Sequence, residues 1–156
     1  MAIGRLFAIT VAAQAQTAAK TLIELAGAAT VVTTVERMWI SQSTFDTSEN
    51  LSAKVQRITT TGTGTSSTAT VAKIDSGGAA LAGTVKTNMT VEPTYTANTV
   101  IVNQGFNVLS GWLWTPASDD EVISIPPSGL LGVMLNTAPS GSMSFDYGCT
   151  FREIGG

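Results

Sequence analysis

Histidine is absent from this chain, and cysteine occurs once, as Cys149. Without histidine there is no Ser-His-Asp or Cys-His nucleophile, no imidazole ligand for zinc or for a cupin-type metal, and no general base that titrates near neutrality unaided. A lone cysteine excludes a disulfide framework within the chain. Charge is also scarce: Asp, Glu, Lys and Arg make up 12% of 156 residues, against roughly 25% in ordinary soluble domains. The Lys and Arg residues stand singly and the net charge is −3, so no basic patch offers phosphate contacts and nucleic-acid binding is not expected. No run is long and apolar enough to cross a bilayer as a helix, and no membrane partner is expected. The opening MAIGRLFAITVAAQAQ alternates instead of forming the continuous apolar segment of a signal peptide, so none is expected.

What the chain does have is alternation. In SMSFDYGCTFR, Met143, Phe145, Tyr147, Cys149 and Phe151 share one parity, and Ser142, Ser144, Asp146, Gly148, Thr150 and Arg152 share the other. Side chains on a strand point alternately to opposite faces, so this is a half-buried strand, and it must bury its apolar face against a second layer. Cys149 lies on the apolar parity and reads as a buried, inert thiol. Strands are predicted at Gly4–Ala12, Lys20–Ala26, Thr30–Gln42, Leu51–Thr61, Thr68–Asp75, Thr84–Glu92, Thr96–Val102, Phe106–Trp114, Glu121–Ile125 and Leu130–Leu135, before the closing strand. Lys20–Ala26, KTLIELA, has helix-favouring residues, but the run is short and stops at Gly27. Thr30–Gln42 has apolar residues on both parities, Val32, Met38 and Ile40 against Val31, Val35 and Trp39, which predicts cover on both faces. Gly, Pro, Ser and Asn turns separate the strands, among them Asn103-Gln104-Gly105 and the TGTGTSS tip at Thr61–Ser67. Short strands at this spacing predict an all-β fold, an antiparallel β-sandwich of jelly-roll type. The organisation expected is a strand or extended arm at residues 1–16, carrying Arg5, Phe7 and Ile9, followed by one sandwich domain at 17–156.

The candidate sites are few. Asp119-Asp120-Glu121 is the one acidic cluster. A sugar-cleaving pair needs two carboxyls converging on one bond, and consecutive residues diverge, so a solvated turn is the better reading. A carboxylate hydrolase using Glu121 with Asp119, Asp120 or Asp146 is the weakest of the functional classes considered. Gly62-Thr63-Gly64 lacks the residues and the strand-to-helix setting of a phosphate cradle. The triplets at Asn50 and Asn88 match the glycosylation pattern, which is common by chance. Trp112 and Trp114 share a parity and, with Trp39, are the candidate core, subunit interface or sugar-stacking platform. No catalytic residue, cofactor or metal ligand set is expected, and the chain is not read as an enzyme. So little charge leaves part of the surface to be covered by other subunits, which predicts a homo-oligomer.

The second half carries a resemblance. GFNVLSGWLW, EVISIPPSGLLGVMLNTAPSGS and the closing TFREIGG resemble the small jelly-roll decoration, or cement, proteins of tailed-bacteriophage heads. The resemblance implies a virion structural protein on the capsid exterior, made in the host cytoplasm, commonly a trimer, bridging neighbouring major capsid proteins. It also implies that an arm or a sheet edge pairs with a neighbour, and residues 1–16 are the candidate arm. The alternative is a carbohydrate-binding jelly-roll module of a phage fibre or tail, using Trp112 and Trp114.

Overall fold

The computed structural model describes residues 4–44, 48–66 and 70–155. The start of the candidate arm, the middle of the loop expected after Gln42, and the passage from the TGTGTSS tip into the strand expected at Thr68 lie outside the described residues. The strands are β1 (Arg5–Gln16), β2 (Lys20–Ala26), β3 (Val32–Gln42), β4 (Asn50–Thr60), β5 (Thr63–Ser66), β6 (Ala72–Lys73), β7 (Thr84–Val91), β8 (Thr94–Asn107), β9 (Trp112–Trp114), β10 (Ile123–Ile125), β11 (Leu130–Leu135) and β12 (Met143–Ile154). A short 3-10 turn at Asp119–Glu121 precedes β10.

Two antiparallel sheets pack face to face. Sheet 1 runs β10-β3-β12-β1-β6, with β9 also beside β3, and sheet 2 runs β5-β7-β2-β11-β4-β8. The pairings nest: β1 with β12, β2 with β11, β3 with β10, and β4 with β8. The chain is therefore one long hairpin rolled across two sheets, the jelly-roll arrangement of two Greek keys. The β5–β7 segment is inserted at the tip of that hairpin and widens both sheets at one side.

The strand with the cleanest alternation is the centre of sheet 1. β12 pairs with β1 on one side and with β3 on the other. Met143, Phe145, Tyr147, Cys149 and Phe151 are all buried between the sheets. Phe151 stacks on Phe7 of β1 with ring centroids 5.7 Å apart. From sheet 2 they meet Leu25, Val55, Leu131, Val133 and Leu135 in the same core cluster. Each such side chain contributes about 1.5–3 kcal/mol through its removal from water.

Sequence and structure part at identifiable places. The stretch read as strand or arm is a strand inside sheet 1: Arg5–Gln16 lies between β12 and β6, and Phe7 and Ile9 are in the core. The arm reading gives way because those two side chains find a full apolar cover within their own chain. Asn103-Gln104-Gly105 is not a turn. Residues Val102 to Asn107 pair one for one with Val55 to Asn50 of β4, and the irregular stretch falls earlier, at Thr96–Thr99, where Asn98 takes a positive φ of 58°. The real break comes after Asn107, whose carbonyl accepts both Ser110 N and Gly111 N at 3.0 Å, with Gly111 at φ 71°. Only glycine holds that φ without strain.

The apolar residues on both parities of β3 have two sources, a bulge and the outer-face Trp39. The register against β12 slips between Thr150 and Phe151, so Val35 and Met38, three residues apart, both face the core. An inserted residue switches which parity points inward.

Among the described residues, the Tyr147 hydroxyl, one guanidinium nitrogen of Arg57 and both amide atoms of Gln42 are buried without a well-formed hydrogen bond; the Tyr147 hydroxyl has a looser contact with the backbone of Asn88. Burial pushes the Tyr147 phenol up to about 12, an effect the backbone of Asn88 partly offsets. Burial likewise pushes Tyr95 up to about 12, with its hydrogen bond to Thr21 acting the other way and Glu92 and Glu24 adding to the rise. Below pH 10 both phenols are neutral folded and unfolded, and they contribute no pH dependence. As pH rises through about 10 to 12 the unfolded chain ionises first, so stability falls by about 2–3 kcal/mol per tyrosine. Tyr147→Phe is expected to be neutral or stabilising by about 1 kcal/mol at pH 7, because it removes a buried hydroxyl that has no well-formed hydrogen bond. It is also expected to lose its share of the alkaline decline, as read by urea unfolding at pH 7 and pH 11.

Candidate functional site

The outer face of sheet 1 is built from the opposite parity of the strands that make the core. On β3, Trp39 pairs with Gly148 of β12 on one side and with Leu113 of β9 on the other. A Cβ at residue 148 would overlap the Trp39 ring and the Ile9 carbonyl, so glycine lets the indole lie flat on the sheet. Arg37 stands over that indole, 5.4 Å from the ring centroid, a cation–π arrangement. Leu113 is 57% exposed beside it. Toward β1 the same face carries Ala8, Thr10 and Thr150, all small and uncharged. Charge gathers at one end, where Arg152 Nε donates to Glu36 Oε1 at 3.0 Å. This is a shallow contact surface with one aromatic ring, one cation and an exposed leucine.

The three tryptophans do not form one platform. Trp112 and Trp114 pair with Ile40 and Met38, both core residues, so their side of β9 faces inward. Trp112 is 3% exposed, and its indole N–H donates to Gln104 Oε1 at 3.2 Å. Trp114 packs partly buried against the core cluster. A sugar ring cannot stack on Trp112 without opening the sandwich. Of the three, only Trp39 belongs to the outer face.

Sequence reasoning missed the carboxylates that organise the loops. Glu153 on β12 is buried: it accepts Gly83 N at 2.8 Å and Ala82 N at 3.0 Å, and the Arg5 guanidinium lies 3.1 Å from it. Glu24 on β2 is buried as well: it accepts Gly62 N at 2.9 Å and the Thr61 hydroxyl, with Lys86 Nζ 3.5 Å away. Glu92 accepts Thr21 N at 2.9 Å and the Thr21 hydroxyl, which is 2.7 Å from the Tyr95 hydroxyl. Asp146 accepts Ala13 N at 2.7 Å, where β1 bulges with Ala13 at φ 51°. Each of these acids ties a loop or bulge to a sheet through backbone N–H groups. The available signal was a single acid inside an apolar run, as in TLIEL and TFREI.

The acids of the hydrolase reading are not assembled. Asp119, Asp120 and Glu121 are exposed on their 3-10 turn, and Asp146 holds the β1 bulge. A cleft of about 470 Å³ lies between the β1–β2 connection and the end of β7. It is lined mostly by Ala and Thr, with Gln16, Lys20, Met89 and Glu92. Its one carboxylate is the Glu92 already bound to Thr21, so it has no acid–base pair. No group of acids and cysteine that would hold a metal ion occurs among the described residues. Cys149 is fully buried, and burial pushes its thiol well above the usual range, which leaves it unreactive. No family model, curated protein or solved structure matches the chain.

Glu153→Ala leaves two amide N–H groups without their acceptor and Arg5 without its counter-ion. It is expected to cost about 3 kcal/mol, read by chemical unfolding, and to raise hydrogen exchange at Ala82 and Gly83. For the indoles, acrylamide quenching is the measurement. Trp39→Phe is expected to lower the quenchable fraction, and Trp112→Phe, which removes a shielded indole, to raise it.

Proposed function

We propose that this chain is a virion structural protein: a decoration, or cement, subunit on the exterior of a tailed-phage head that bridges neighbouring major capsid proteins and associates with further copies of itself. The reading is carried by one contrast. The buried acids Glu24 and Glu153 are engaged in holding loops, while the outer face of sheet 1 leaves Leu113 exposed beside a half-buried Trp39. That is a rigid scaffold with a surface suited to being covered. The phage-like segments GFNVLSGWLW and EVISIPPSGLLGVMLNTAPSGS supply the kind of surface it would cover. A head lattice repeats the same contact many times, so each copy needs only a weak one.

The part is made in the host cytoplasm and acts on the assembled particle. The sugar-binding alternative loses its platform with Trp112 in the core. Labelling purified particles from a lysate of the producing host with an antibody raised against the chain tests the proposal. Label spread over the head exterior is expected. Label confined to tail fibres, or found only in the soluble fraction, overturns it.

A further inference from the structure

β8 is the outermost strand of sheet 2, and among the described residues it pairs with β4 alone. It is 14 residues long. Its sequence, TYTANTVIVNQGFN, contains no Lys, Arg, Asp, Glu or Pro. An edge strand presents a row of unpaired N–H and C=O groups, and proteins ordinarily protect such an edge with charge, proline, a bulge or shortness. β8 has only the bulges, and these fall in its first half, between the partners of Val55 and Thr60. Its second half, Val102 to Asn107, is regular. Next to it, Val100 and Ile101 are 48% and 42% exposed.

We propose that the β8 edge pairs with the β8 edge of a second copy of this chain, antiparallel about a two-fold axis, joining two copies of sheet 2 into one continuous sheet. The occupant follows from length and charge. The other edge strands are β5, β6, β9 and β10, of four, two, three and three residues, so among the described strands only β8 matches the length of β8. A strand without charge meets its own copy without repulsion, whereas a charged edge placed antiparallel to itself sets like charges opposite one another. A two-fold contact of this kind closes on itself, so assembly stops at two. The inference stands apart from the capsid reading, because edge pairing needs no shell.

Sedimentation of the purified chain over a dilution series tests it. A monomer–dimer equilibrium is expected. Ile101→Lys combined with Asn103→Lys places two cations on each edge and is expected to weaken the dimer by about 10-fold or more. Ile101→Thr combined with Asn103→Thr keeps the dimer. Both side chains are exposed, and an unchanged circular dichroism spectrum and melting temperature show that the sandwich remains folded. A strictly monomeric wild type, a trimer, or a dimer indifferent to the lysines overturns the proposal. Failure here leaves the head-surface labelling untouched, so the two readings are separable.

Discussion

The insertion of β12 between β1 and β3 is the constraint on which the rest of the fold depends. Sheet 1 has no continuous core until the last strand enters, because β1 and β3 are not neighbours without it. The apolar stripe from Met143 to Phe151 then meets the inner face of sheet 2. The two partners of β12 lie more than a hundred residues away in sequence, as Phe7 and Phe151 illustrate. Loop closure over that length must precede the burial that rewards it, so the topology places this chain among slow folders of high contact order. The same geometry makes the closing strand poorly tolerant of truncation, since its loss exposes the inner edges of two other strands.

Once the sheets are stacked, the connections still have to be fastened, and the chain has neither disulfides nor imidazole ligands for that purpose. Carboxylates take the role. Glu153 holds the segment before β7, Glu24 holds the crossing from β4 to β5, and Asp146 holds the bulge in β1. A carboxylate that accepts backbone N–H bonds in a desolvated setting makes stronger bonds than a neutral acceptor does. Arg5 and Lys86 supply the compensating charge at the rim, where water still reaches them. Part of a small stock of charge is thereby drawn inward.

That economy explains why the architecture was legible and parts of the detail were not. Alternation in β12 and β7 is visible in sequence because the apolar residues of each strand gather on one face, and β11 is visible as a short continuous apolar run. β2 was legible despite helix-favouring residues, since seven residues ending at a glycine are too few for a stable helix. The break in β8 was misplaced because Asn-Gln-Gly has the composition of a turn. Its geometry is set instead by ladder bonds to β4 and by the Trp112–Gln104 hydrogen bond. The β3 bulge and the inward turn of Trp112 are tertiary outcomes as well: each depends on the register of a strand distant in sequence. Glu24 and Glu153 each stand as a single acid in an apolar run, but nothing local marks the segment whose amides they accept, 38 and 70 residues away.

The surface follows from the interior. Glu24 and Glu153 lie inside, and Arg152 is paired with Glu36. Broad outer areas are left to Ala, Thr, Gly and Asn. Such an exterior has little to repel another protein surface, and little to keep copies apart at high concentration. An isolated monomer with an uncharged 14-residue edge would be exposed to uncontrolled strand addition. Covering that edge in a defined, closed contact removes the hazard and needs no further charge. The scarcity of charge and the length of β8 are therefore both consistent with the proposed pairing of two copies along that edge.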